Sequence, residues 1–136
     1  MATFNKINTF IEYAVEGANL GSDTFKVALT NTAHSGSFAT LSDLTLASGA
    51  PANLDSVTLV TTSSAQSGGT YKLVIQDKTM TASGTVGPFQ YVYIYDDTVT
   101  GDPLVCYFDN VSTITLASGD TFTLNFDETN GLLQIA

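Results

Sequence analysis

The chain has 136 residues and a mass of 14.3 kDa, a length that builds one hydrophobic core and sets the expectation of a single domain over residues 1–136. Thirteen acidic residues stand against four lysines (Lys6, Lys26, Lys72, Lys78) and no arginine, giving a net charge of -9. The resulting field repels phosphate backbones and anionic lipid, which argues against nucleic acid and membrane as partners. Cys106 is the one cysteine, so neither an intrachain disulfide nor a thiolate metal cage is available. Only 12% of the residues are charged, and Ser plus Thr supply roughly a quarter of the chain, so hydroxyls replace charges on the outer faces.

At the N-terminus, Phe4, Ile7, Ile11, Ala14, Val15 and Ala18 recur at spacings of three and four, with Lys6, Asn8, Thr9, Glu12 and Glu16 between them. That period predicts one amphipathic helix of about four turns, capped by Thr3, ended by Gly17 to Gly21, and assigned to residues 1–20. Its apolar stripe is expected to pack on the chain's own sheet, with a partner subunit as the alternative. From residue 21 the period is two, and residues 21–136 read as an all-β sandwich. Strands are expected at 24–30, 43–46, 56–62, 70–77, 79–82, 89–96, 104–109, 112–117, 120–127 and 132–135, of which eight or nine survive. In 120–127, Phe122, Leu124 and Phe126 face inward while Thr121, Thr123 and Asn125 face out. Asn130-Gly131 supplies a tight turn, so residues 112–136 read as a three-stranded meander. Many short strands, frequent turns and almost no other helix point to a sandwich, with the jelly roll as its expected form.

Residues 89–95 have a different character. Tyr91, Tyr93 and Tyr95 line one face of the strand and Val92 and Ile94 the other, so both faces want cover. The plain expectation is a central strand with the core on one side and the helix on the other. An alternating tyrosine row is also what a contact stripe looks like, because a phenol buries apolar area and keeps a hydroxyl for a polar rim. Tyr91, Tyr93 and Tyr95, together with Phe4, Phe10 and Tyr13 along the helix, are therefore the interface candidates. Thr45-Leu46-Ala47-Ser48-Gly49 recurs as Thr115-Leu116-Ala117-Ser118-Gly119, which is read as turn grammar rather than duplication.

Residues that make or break bonds are scarce. His34 is the only histidine, sits in a polar loop and is expected to be solvated; no Gly-x-Ser-x-Gly elbow accompanies it. A histidine-rich metal site of the kind found on some jelly rolls cannot be assembled from one imidazole. Asp96, Asp97 and Asp102 share one loop and form the calcium candidate, although the order of a dedicated calcium loop is absent. Isolated acids such as Asp109 and Asp127 raise the question of a glycosidase pair, against which stands the lack of tryptophan, the usual sugar platform. No catalytic residues, cofactor or resident metal are expected. The opening Met1-Ala2-Thr3-Phe4-Asn5-Lys6 lacks the basic-then-apolar layout of a secretory signal, and no apolar run approaches a membrane span, so synthesis in the cytoplasm is expected.

Several stretches together resemble small virion proteins encoded among the head genes of tailed bacteriophages. They are the opening Met1 to Lys6, the runs from Leu20 to Ala33 and from Thr61 to Leu73, and the segments Gly87-Pro88-Phe89-Gln90-Tyr91-Val92 and Gly101-Asp102-Pro103-Leu104. The resemblance is to capsid decoration, or cement, proteins, with loop content near Ala33 to Ala52 as the departure. It implies a β-sandwich or jelly-roll module on the capsid exterior of the virion, made in the bacterial host cytoplasm. The implied partners are the major capsid protein and further copies of the chain as a homo-dimer or homo-trimer. A tail, collar or head-fibre component is the alternative, and a carbohydrate- or receptor-binding sandwich module the next.

Overall fold

Strand β6 (Val86–Asp96) carries buried side chains on both faces, and such a strand is stable only inside a sheet. In the computed structural model, which describes residues 2–136, it lies between β7 (Leu104–Leu116) and β2 (Phe25–Thr30). With β1 (Thr3–Lys6) beyond β7, these form an antiparallel four-stranded sheet in the order β1-β7-β6-β2. A second sheet runs β3-β4-β9, from β3 (Thr61–Ser67), β4 (Thr70–Ile75) and β9 (Leu133–Ile135). The third pairs β5 (Lys78–Thr81) with β8 (Thr121–Leu124). The chain is thus mostly β, 47% strand and 7% helix, with antiparallel sheets and one short N-terminal α-helix, α1 (Phe10–Glu16). Buried residues of all three sheets, among them Val27, Leu73, Ile75, Met80, Phe89 and Ile94, join one hydrophobic cluster.

The expected N-terminal helix is corrected in extent and phase. Thr3 does not cap a helix but opens β1, which pairs with β7 from Thr3 opposite Asp109 to Lys6 opposite Cys106. Asn8 and Thr9 turn the chain, and α1 has seven residues ended at Gly17, where the sequence places the stop. The spacing of Phe4 and Ile7 that reads as helical arises from a strand followed by a turn. The stripe is rotated accordingly: Phe10 is buried, whereas Ile11 and Val15 are 54% and 81% exposed.

The three-stranded meander over 112–136 is likewise overturned, since β7, β8 and β9 each belong to a different sheet. Turn signals order strands along the chain but do not choose partners, and here the partners β4 and β5 lie far upstream. The segment 43–46 forms no strand. A 3-10 turn, Leu41–Asp43, precedes it, tied by Asp43 accepting the Thr40 amide at 2.9 Å, and Leu46 makes one bridge to Thr30. Residues 56–60 touch β2 only at isolated points, such as Val27 N–H to the Val57 carbonyl at 2.9 Å. β3 therefore starts late and consists of Thr61-Thr62-Ser63-Ser64-Ala65-Gln66-Ser67, a run with no apolar alternation. What makes it a strand is the hairpin to β4 around Gly68 and Gly69, both at positive φ (59° and 84°).

β7 is one strand with a defect that the sequence already marks between 109 and 112. Its register on β6 slips between the pairs Tyr91–Asp109 and Phe89–Ile114, leaving a bulge at Asn110 to Ser112. Val111 sits there in the left-handed region (φ 69°), where a β-branched residue is strained, and is 72% exposed. Asp109 holds it, accepting the Val111 amide at 2.7 Å and the Gln90 side-chain amide at 2.9 Å.

Two backbone predictions follow from these positions. Val111→Gly is expected to stabilise the protein by about 1 kcal/mol, by relieving a left-handed penalty. Gly131 (φ 82°) is the opposite case: a Cβ there would lie 2.7 Å from the Leu73 carbonyl oxygen. Gly131→Ala is expected to cost about 3 kcal/mol, against about 1 kcal/mol for Gly68→Ala, whose surroundings are open. Urea unfolding of the three variants checks both signs and the ranking.

Candidate functional site

The two faces of the four-stranded sheet are finished differently. Along one, register aligns Leu29, Val92, Phe108 and Phe4 in a row across β2, β6, β7 and β1. The inner part of that row is buried, but at the β1 end the cover stops. There an open groove of about 510 Å3 runs between the sheet and β8 with its following turn, lined by Phe4, Val92, Phe108, Phe122, Phe126 and Leu132. Phenyl rings meet along it edge to face, Phe4 on Phe108 at 5.5 Å and Phe108 on Phe126 at 6.2 Å. Phe4 remains 44% exposed at its mouth.

The edges of the sheet are also unequal. β2 is flanked by the loop before β3, which bonds to it at Phe25, Val27 and Leu29. β1 is the other margin, and among the described residues no strand lies beyond it. An unpaired margin beside an apolar groove is the arrangement that accepts an extended segment of another chain. Asp127, at the groove's far wall, is not a free charge. It accepts the Asn130 amide at 2.8 Å, the Asn130 side-chain amide at 2.7 Å and the Thr129 amide at 2.9 Å, which hold its carboxyl below the usual carboxylate range.

On the opposite face the tyrosine row is internal, not a contact stripe. Tyr93 and Tyr95 are buried in the chain's own interior and Tyr91 is half-buried. The loop after β2 supplies cover here, because the chain leaving Thr30 brings His34 back onto Tyr93 and Tyr107. His34, expected to be solvated, is half-buried on that loop. It stacks on Tyr107 at 4.5 Å, meets Phe38 edge to face at 5.7 Å, and its Nδ1 lies 2.8 Å from the Tyr93 hydroxyl. Burial holds the imidazole below its usual range and, with the neighbouring phenols of Tyr107 and Tyr91, pushes the Tyr93 phenol up. Both groups are therefore neutral near pH 7, and the contact is a hydrogen bond between a neutral imidazole and a neutral phenol.

Of the other interface candidates, Phe10 is corrected: it lies in the first turn of α1 with its ring in the core. Tyr13 is half-buried, and Phe4 lies on β1 rather than on a helix. The calcium candidate is also corrected, because the three carboxylates do different jobs. Asp97 pairs with Lys26 at 2.9 Å, Asp96 is buried in the sheet, and Asp102 takes a positive φ (50°) in the turn. Among the described residues no three His, Cys, Asp or Glu side chains gather where they would hold a metal ion. Asp109 serves the β7 bulge, where Gln90 and the Val111 amide keep its carboxyl below the usual range. Cys106 is buried, which pushes its thiol up.

Sequence reasoning places Phe122 and Phe126 inward but misses Phe108 and Tyr107, which join the groove and the histidine stack. The signal was the alternation Val105-Cys106-Tyr107-Phe108, which puts one aromatic ring on each face of β7. No protein-family model, no curated protein and no solved structure matches the chain.

Tyr93→Phe leaves the half-buried His34 Nδ1 without its hydrogen-bond partner and is expected to cost about 1 kcal/mol in chemical unfolding. Because the row is internal, the variant is expected to sediment as the wild type does. A change of oligomeric state in Tyr93→Phe would restore the row as an interface.

Proposed function

We propose that this chain is a non-enzymatic virion structural protein, a decoration or cement protein that binds the outside of an assembled phage head and holds neighbouring capsomers together. The observation that carries the reading is the aromatic groove at the free margin of β1, with Phe4 exposed at its mouth. Exposed aromatic area in a recess is the raw material of a binding hot spot, and it stands at a sheet edge able to pair with an incoming strand. The net charge of -9 favours a partner surface carrying basic residues, which would speed encounter and align the docking. On a lattice of identical subunits a modest contact is multiplied by copy number, and a ligand that binds only the assembled shell stabilises it by mass action.

In the same reading the antiparallel sheets are the walls of a β-sandwich, jelly-roll in kind, supported by the single core that their buried residues share. The chain acts as a homo-dimer or homo-trimer, and the polar turns that close on Asp127 and Asp109 frame its contact face.

Co-sedimentation with purified phage heads stripped of their own decoration protein tests the proposal. Saturable binding in many copies per head is expected, together with greater resistance of the heads to heat. Phe4→Ser is expected to weaken binding by roughly tenfold or more, with little loss of fold stability because the ring is half exposed. A strict monomer that ignores heads would overturn the assignment, and binding at a few copies confined to the tail would move the protein to that part of the particle.

A further inference from the structure

Asp96, at the end of β6, is fully buried. Its Oδ1 accepts the backbone amides of Thr98 at 3.0 Å and Val99 at 3.3 Å, whereas its Oδ2 has no donor among the described residues. The connection between α1 and β2 runs alongside, since Phe25 stands opposite Asp96 in the register and Asp97 N–H bonds the Thr24 carbonyl at 2.9 Å, and the carboxyl it brings to Asp96 is that of Asp23. Asp23 is itself anchored, with Oδ2 accepting the Asn19 amide at 2.8 Å. Two ionised carboxylates are acceptors only, so they cannot bond to each other unless one carries a proton.

We infer that Asp96 keeps a proton and donates it to Asp23, forming a pH-operated clasp that ties the α1–β2 connection to the β6–β7 turn while Asp96 is protonated and slackens when that proton is lost. Among the described residues no cation pairs with Asp96 to do the proton's work. Lys26 of β2 is engaged by Asp97 at 2.9 Å, and the charges of Tyr95 and Asp102 act on that lysine. The remaining ties across the junction are neutral, Thr24 N–H to the Thr98 hydroxyl at 2.8 Å and Asp97 N–H to the Thr24 carbonyl at 2.9 Å. Burial, reinforced by the bond to Asp23, raises the Asp96 carboxyl from 3.8 to about 7.

The sign of the pH dependence is fixed by where each state releases the proton. The unfolded chain loses it near the ordinary aspartate value and the folded chain near neutrality, so between the two the folded state binds more protons. Stability from the clasp is therefore complete below the ordinary aspartate value, falls as pH rises toward about 7, and is lost above it. His34, held low by burial, works in the opposite direction as its usual pKa of 6.5 is crossed, so the clasp is read as a difference between wild type and a variant.

In Asp96→Asn the side-chain amide donates permanently to Asp23, so no proton is needed. Thermal unfolding of wild type and variant from about pH 5 to about pH 8 is the test, alongside carbon NMR of the Asp96 carboxyl in the wild type. The variant is expected to gain Tm relative to the wild type as pH rises, and the wild-type carboxyl to titrate near 7. Should Asp96→Asn fail to fold, Asp23→Asn reports the same proton from the other side. Parallel pH profiles for wild type and variant, or a carboxyl that titrates as free aspartate does, would overturn the clasp. So would a rise in wild-type Tm on adding millimolar calcium at the alkaline end, since that outcome gives the gap to a metal.

Discussion

A strand whose side chains are buried on both faces needs a hydrogen-bonding neighbour on each side and a layer above and below, and β6 makes all four demands at once. Its pairing with β7 meets the first and sets the register of the sheet. That register brings Phe108 beside Val92 and Tyr107 beside Tyr93, so one pair of strands supplies the floor of the groove and the bed on which His34 lies. The bulge at Asn110 to Ser112 belongs to the same pairing. Without the extra residues, Phe89 and Val86 would meet different partners, and the lower half of β7 would present its other face to the core.

The two faces of this sheet divide the labour of the molecule. One is closed by a loop whose polar atoms are satisfied inside the fold: Tyr93 bonds His34, and the Thr30 hydroxyl bonds the Thr45 carbonyl. A buried phenol on a central strand specifies where the imidazole must lie, and that contact places a long loop which has little regular structure of its own. The other face is sealed by aliphatic and aromatic packing except at the β1 margin, where cover ends while apolar area continues. The carboxylates follow the same economy. Asp43, Asp109 and Asp127 each cap a local turn, and Asp96, the one sunk in the sheet, is the one matched with a second acid.

Much of the β framework was legible because period-two alternation reports a half-buried strand directly. β2, β4, β5, β6 and β8 lie where Phe25-Val27-Leu29, Tyr71-Leu73-Ile75 and their equivalents put them. The break in β7 showed as the polar residues Asp109 and Asn110. The errors have physical causes. Phe4 and Ile7 mimic a helical spacing because a strand followed by a turn can reproduce it over so short a span. β3 was hidden because its strand character comes from the Gly68-Gly69 turn and a β4 partner rather than from its own hydroxyl-rich residues. Strand partnership in the last quarter of the chain was out of reach, since local patterns carry no information on which distant edge is vacant. The groove was partly legible in Phe122 and Phe126; the closeness of Asp23 to Asp96 was not, because it joins positions far apart in the sequence through tertiary packing alone.

The unequal margins of the four-stranded sheet limit what this molecule can build. A ribbon that is blocked along β2 and bare along β1 can be widened at one side only. Two copies meeting bare side to bare side would exhaust both, giving a closed pair, and a foreign strand seated there would exhaust one. The closed pair leaves no template for the next addition, so self-association through this sheet ends after one step, whereas a foreign strand would bring its own outer edge.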